Sequence, residues 1–328
     1  MDPTQSRRIG LYGTGRAATK LVSAIAASPH TLTTAIVFFD EQAGRDIGSL
    51  TGGPAVGVTA TTDLEGAIRS GEFEVMAYAG LKGEVLYQAI DLCVDAGVDL
   101  VHACFVHPRV TFDLELYTRW HTRAEETGAR VVGTGMLPGF WLDVLPALLS
   151  SALPSPVSII GESRSDITLW GRGVLVDEMG LGTPATPDQP GPMSGVLHES
   201  AAMIADVLGL TGYETHVEGG FVIAEAATEV IGIEVSPGDR VGFDQAAVMV
   251  HDGRERVRIA WKGLPQGSFE GYERSMSVTA IGGDGSACTL KITPAPDPYP
   301  GTAARIVHAV GAFGSLPGGL HTPVQLGI

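Results

Sequence analysis

The sequence predicts an α/β protein, with an N-terminal doubly wound parallel sheet and a second α+β domain built on a mostly antiparallel sheet. Three observations carry this. Apolar strand-like runs alternate with helical patterns over residues 1–135, the pattern of a parallel sheet covered on both faces. A glycine-rich turn, Gly13-Thr14-Gly15-Arg16-Ala17-Ala18, separates the first strand from the first helix. Beyond Ala152-Leu-Pro-Ser-Pro156 the extended runs follow one another with few helices between them, which suits antiparallel pairing.

In chain order, Ile9 to Tyr12 is a strand that breaks at Gly13, and Ala17, Leu21, Val22, Ala24 and Ile25 then recur at helix spacing. Gly13, Gly15 and Ala18 fill the three small positions of the dinucleotide fingerprint. The first permits the tight turn, the second lets a pyrophosphate reach the backbone, and the third lets helix and strand pack closely. The phosphates would sit on the N–H groups of the helix N-terminus. Thr34 to Phe39 reads as the second strand, ending on Asp40 and Glu41. A carboxylate at Asp40 is placed to bind the adenosine ribose, favouring NAD over NADP, with Arg45 nearby as a countercharge. Thr62 to Glu65 has the form of a capping box opening a helix to Arg69.

Phe73 to Ala79 is a further strand, with Ala79 and Gly80 where such a sheet lines its cofactor crevice. A helix from Gly83 stops at Gly97, a strand runs from Val98 to Phe105, and a helix from Phe112 stops at Gly128. Arg130 to Gly133 closes the first domain, 1–135. Gly133 to Phe140 breaks the rhythm and leads into an apolar helix, Phe140 to Ser151. The second domain, 136–300, carries extended runs at 157–162, 224–235, 241–251, 276–280 and 288–292. It also has a Gly/Pro-rich loop at 180–195 and a helix from Ser194 to Leu210. Residues 301–328 form a C-terminal helix, Ala303 to Phe313, and a glycine-rich tail.

Composition narrows the partners. An apolar fraction of 44% supports sizeable cores, and a formal charge of −16 argues against nucleic acid or an anionic membrane. Arg7 and Arg8 lead straight into the first strand without a signal-peptide pattern, and no uncharged apolar run approaches spanning length. Cys93, Cys104 and Cys288 are odd in number and widely spaced, which reads as reduced thiols in the cytoplasm with no metal site.

Taken together, the motifs resemble the reductases with a dihydrodipicolinate-reductase-type N-terminal domain. Within them the chain is most similar to 2,4-diaminopentanoate dehydrogenase and the native amine dehydrogenases. Gly13-Thr-Gly15, Gly44-Arg-Asp-Ile-Gly48, Gly135-Met-Leu-Pro-Gly-Phe140 with Asp143, and Gly301-Thr-Ala-Ala-Arg-Ile-Val307 followed by Leu316-Pro-Gly-Gly carry the resemblance. It implies a Rossmann domain returning its C-terminal helix, and a second domain that forms a homodimer. It also implies an oxidoreductase that moves hydride to or from a C=N or C=O bond of a small, fairly apolar substrate, with NAD or NADP as cofactor. Two departures stand out. The family's glutamate is absent from Val101 to Pro108, and Leu137 stands where Asn or His usually precedes the proline. A carbonyl reductase without ammonia chemistry, or a dinucleotide-binding homologue without catalysis, therefore remain alternatives. The histidine and lysine motif of true dihydrodipicolinate reductases is absent.

Hydride transfer needs a group that gives or takes a proton. His102 and His107 are the candidates, because imidazole titrates near neutrality; Tyr78, Lys82 and His308 are weaker ones. Cys104 reads as a small filler beside the nicotinamide. Met136, Leu137, Phe140, Trp141 and His308 are expected to line the substrate pocket.

Overall fold

The computed structural model describes residues 6–186, 189–267 and 269–327. The chain divides into two units, Met1–Phe140 with Pro298–Ile328, and Trp141–Asp297. The first runs β1 (Arg8–Tyr12), α1 (Arg16–Ala26), β2 (Thr31–Ile36), α2 (Ile47–Leu50), β3 (Ala60–Thr61), α3 (Leu64–Arg69), β4 (Val75–Tyr78), α4 (Glu84–Ala96), β5 (Asp99–His102), α5 (Pro108–Thr111), α6 (Leu114–Thr127) and β6 (Arg130–Gly133). The second unit holds α7 (Val144–Ser150), β7 (Ser158–Asp166), α8 (Ser194–Val207), β8 (Glu214–Ile223), β9 (Thr228–Val230), β10 (Ile233–Val235), β11 (Arg240–His251), β12 (Arg254–Leu264), β13 (Ser275–Ile281) and β14 (Ala287–Ile292). The chain then returns to the first unit with α9 (Pro298–Ala312) and β15 (Gly319–His321).

The first unit's sheet has seven strands in the order β15-β6-β5-β4-β1-β2-β3, every pair parallel. Strand order reverses between β1 and β4, which creates a crevice beyond their C-terminal ends. The strands read as continuous apolar runs because both faces are buried. Ile9, Leu11, Val75 and Ala77 face a core shared with Leu21 and Ile25 of α1 and Ile306, Val310 and Phe313 beyond them. Tyr12, Met76, Tyr78 and Leu100 face the opposite core, with Leu86 and Ile90 of α4 and Trp120 of α6. Each such aliphatic side chain contributes about 1.5–3 kcal/mol on full burial. At the strands' N-terminal ends Asp99, 2% exposed, accepts from Arg7 at 2.8 Å. It also accepts from the backbone N–H of Arg130 at 2.9 Å.

Several boundaries differ from expectation. β2 stops at Ile36, and Val37 N–H makes the last bond to β3, to Thr61 O at 2.9 Å. α3 is capped by Asp63, which accepts from Gly66 N–H at 2.8 Å, so Thr62 and Glu65 do not form the expected box. The helix expected from Phe140 begins only at Val144, where buried Asp143 caps it.

In the second unit six strands lie in the order β14-β13-β7-β12-β11-β8, with β9 and β10 as a separate hairpin. Only β7 and β12 pair in parallel; the other neighbours are antiparallel. β11 and β12 are joined through Asp252 and Gly253, at φ 52 and 69. This is the positive-φ pair that a tight hairpin of matching twist requires. α8 packs on β11 and β12, burying Leu197, Ala201 and Ile204. The loop at 180–195 is anchored, since Arg240 N–H donates to Thr183 O at 2.9 Å and Met193 N–H to Gln245 Oε1 at 2.9 Å. Pro187 and Asp188 of that loop lie outside the described residues.

Candidate functional site

The first unit's crevice is built from four turns. At the first, Gly13 donates its N–H to Ile36 O at 2.9 Å. It takes φ 108, and an added Cβ would stand 3.1 Å from Ala79 O. Both conditions call for glycine. Gly15 is the N-cap of α1, and no side chain caps the helix there. A Cβ on Gly15 would meet nothing within 4 Å. The first-turn N–H groups, with Arg16 and Ala17 leading the helix, therefore face an open cradle with no acidic residue in the first turn. Such a terminus favours an anion. Thr14 donates its hydroxyl to Gln42 Oε1 at 3.3 Å.

The second and third turns follow β4 and β5. Ala79 N–H donates to Tyr12 O at 2.9 Å, beside the first turn. Cys104 donates its thiol to Gly80 O at 3.4 Å, so Ala79, Gly80 and Cys104 come together as expected cofactor neighbours. The Tyr12 and Tyr78 rings stack with centroids 4.6 Å apart. Tyr78 donates its hydroxyl to Leu81 O at 3.0 Å, and burial, followed by the Cys104 and Tyr12 charges, pushes its phenol far above neutrality. Tyr78 thus stays protonated at ordinary pH.

The two histidines differ. His102 is 0% exposed, and its Nδ1 accepts from Cys104 N–H at 3.1 Å. The remaining proton sits on Nε2, which has no partner among the described residues. Burial, helped by the Lys82 charge, lowers its pKa to about 3. Burial thus favours the neutral form of the His102 imidazole in the core. His107, 4% exposed, stands at the N-cap of α5. Its carbonyl oxygen accepts from Val110 and Thr111 N–H, both at 3.0 Å, fixing the backbone from which the imidazole projects.

The fourth turn follows β6. Thr134 donates its N–H to His102 O at 2.7 Å and its hydroxyl to Gly139 O at 3.2 Å. Gly139 adopts φ 115, and a Cβ there would overlap Gly135 N, so this loop folds tightly on itself. Met136 N–H donates to Thr302 Oγ1 at 3.1 Å. Phe140 lies under the Arg305 guanidinium at 4.9 Å. Leu137 is half-buried in the same loop. His308 follows Arg305 on α9, its pKa lowered by partial burial and then by the Arg305 charge. Arg305 and Thr302 are additions to the expected residues; the sequence signal was one arginine and one threonine in a helix rich in small and apolar residues. Trp141 opens the second unit and is 4% exposed. Asp143 accepts from Val144 N–H at 2.8 Å and from the Ser200 hydroxyl at 3.1 Å, a capping role in that unit.

Asp40 is exposed and directly follows Phe39. It opens a 3-10 turn, Asp40–Gln42, well past the end of β2 at Ile36. The residues coming off the strand are buried Val37 and exposed Phe38 and Phe39. The apolar run looked like strand, but the backbone leaves the sheet early. Among the described residues no group of three or more His, Cys, Asp or Glu side chains is placed to hold a metal ion, and no helix is long and apolar enough to cross a membrane.

A glycine turn feeding an uncapped helix at the reversal of a doubly wound sheet defines the first unit as a Rossmann-type fold. No family model matches the chain. It is 33% identical over 92 residues to 2,4-diaminopentanoate dehydrogenase of Acetoanaerobium sticklandii, a match spanning 26% of this chain and 26% of that relative. Its fold is similar to that of the amine dehydrogenase from Mycobacterium smegmatis, with a TM-score of 0.81 at 20% identity, covering 100% of this chain and 98% of the other. Biliverdin reductase from Synechocystis, in complex with biliverdin and NADP+, has a TM-score of 0.56 at 12% identity over 99% and 95% of the two chains. The resemblance to the diaminopentanoate and amine dehydrogenases thus stands in sequence over about a quarter of the chain and in fold over all of it.

Proposed function

We propose that the protein is an NAD(P)-dependent oxidoreductase acting on a C=N or C=O bond of a small, fairly apolar substrate. The observation that carries this reading is the open cradle at Gly15, where uncapped N–H groups of α1 face outward beside the crevice of the sheet. In this reading those groups hold the pyrophosphate, and Ala79, Gly80 and Cys104 flank the nicotinamide end. When bound, the dinucleotide supplies or accepts the hydride. His107 moves the accompanying proton to or from the substrate oxygen or nitrogen, because the pKa of His102 is lowered to about 3. Met136, Leu137 and Phe140 form an apolar wall that excludes water, with His308 and Arg305 beyond it. The second unit forms the homodimer. Free Cys93, Cys104 and Cys288 support a reducing, cytoplasmic setting. The cofactor is NAD or NADP, and exposed Asp40 beyond β2 favours NAD.

Val101 to Pro108 carries no carboxylate, so nothing there holds ammonia as a glutamate would. The reading is therefore reduction of a carbonyl or a preformed imine. Turnover of NADH and NADPH with a panel of ketones, with and without ammonia, tests it. His107→Ala should lower turnover by about 10²–10⁴-fold with coenzyme affinity intact. Robust ammonia-dependent amination, or full activity of the variant, would overturn the assignment.

A further inference from the structure

The crevice leaves one apolar feature unexplained. Phe38 and Phe39 are 64% and 51% exposed, and their rings meet edge to face with centroids 5.1 Å apart. The pair is suspended between residues tied to the fingerprint turn. Ile36 O, before it, accepts Gly13 N–H at 2.9 Å, and Gln42, after it, accepts the Thr14 hydroxyl at 3.3 Å. The intervening backbone is held by Val37 N–H to Thr61 O at 2.9 Å and Gln42 N–H to Phe39 O at 3.0 Å. Two phenyl rings are thus presented outward on a fixed support rather than on a loose loop.

In a doubly wound sheet the adenosine half of a dinucleotide lies beyond the second strand, where a carboxylate ordinarily reads the ribose hydroxyls. This chain has Val37-Phe38-Phe39 coming off that strand instead. Resting on the dinucleotide reading above, we propose that Phe38 and Phe39 form the adenine subsite, gripping the base by ring contact in place of a ribose-binding carboxylate. Affinity for the adenosine half then resides in the flat base. With the base carrying most of that affinity, NAD+ and NADP+ bind comparably.

Calorimetry on the full chain with NAD+, NADP+, AMP and nicotinamide mononucleotide tests this. Phe38→Ala and Phe39→Ala should weaken NAD+ and AMP by about tenfold, the scale of base–aromatic stacking. Nicotinamide mononucleotide affinity and the melting temperature should stay unchanged, and Phe38→Tyr should retain binding. NAD+ affinity within about twofold of the parent in both alanine variants would overturn the proposal. So would equal loss of the mononucleotide, or a change in oligomeric state with AMP binding untouched. If the parent binds none of these ligands, the dinucleotide reading itself fails, which is a separate result.

Discussion

The two ends of the first unit's parallel sheet are built from different chemistry. Where the strands begin, Asp99 is buried between Arg7 and Arg130, 2.8 and 3.2 Å away, and Arg130 Nε donates onward to Leu316 O at 2.8 Å. Where the strands end, glycines replace charged side chains, α1 starts without a cap, and two phenyl rings face solvent. Satisfied charges rigidify one edge; a helix start without a side-chain cap and uncovered rings leave the other ready for a ligand. Stability and binding are thereby separated along one short strand length, and each can be attacked alone.

The largest effect should come at the open end. Gly15→Asp puts a carboxylate where the pyrophosphate is expected, and like charges so placed cost several kcal/mol, enough to weaken dinucleotide binding more than about a hundredfold. Calorimetry reads the loss. The melting temperature should hold, because the added side chain points into open space. At the closed end the pattern inverts. Asp99→Ala strands two guanidiniums, which are 18% and 16% exposed, and should cost about 3–5 kcal/mol in urea unfolding. Its effect on coenzyme affinity should be small wherever the protein remains folded.

His102 gives the most specific test, with an effect of about 1.4 kcal/mol for each pH unit. Folded, its imidazole stays neutral down to about pH 3, whereas unfolded it takes a proton near its ordinary value of 6.5. Between those values the unfolded chain binds more protons, so this group's contribution to stability rises with pH. It is complete above pH 6.5 and lost as pH falls toward 3. His102→Asn should flatten the pH dependence of urea midpoints in this window; an unchanged slope would show that the imidazole is not the neutral core group described here.

Much of this was legible in the chain. The Gly13-x-Gly15 turn and the alternation of apolar runs with helical periods place the crevice without any structure, because both follow from local sterics and burial. What escaped notice was of two kinds. Strand ends are set by where the backbone leaves the ladder, so β2 ends at Ile36 although Val37-Phe38-Phe39 is as apolar as a strand. Other elements depend on distant partners. β8 has two central glycines and is largely exposed, and β15 is three residues paired with β6 across a long stretch of chain. By contrast, β12 alternates Val257, Ile259 and Trp261 with polar residues after an Asp-Gly turn, a readable signal that was overlooked. Arg305 gains its meaning only from Phe140, far from it in sequence.

The return of α9 and β15 to the first unit has a consequence for biosynthesis. Ile306, Ala309, Val310 and Phe313 complete the core that Leu21, Val22 and Ile25 began, and β15 extends the sheet beside β6. As the chain leaves the ribosome, the segment Trp141–Asp297 emerges whole and contiguous, free to fold as a unit. The earlier segment must wait with one face of α1 uncovered until the final helix appears. A nascent chain stalled before Pro298 would therefore display a finished second unit and an unfinished first one, the species on which a chaperone or a protease would act.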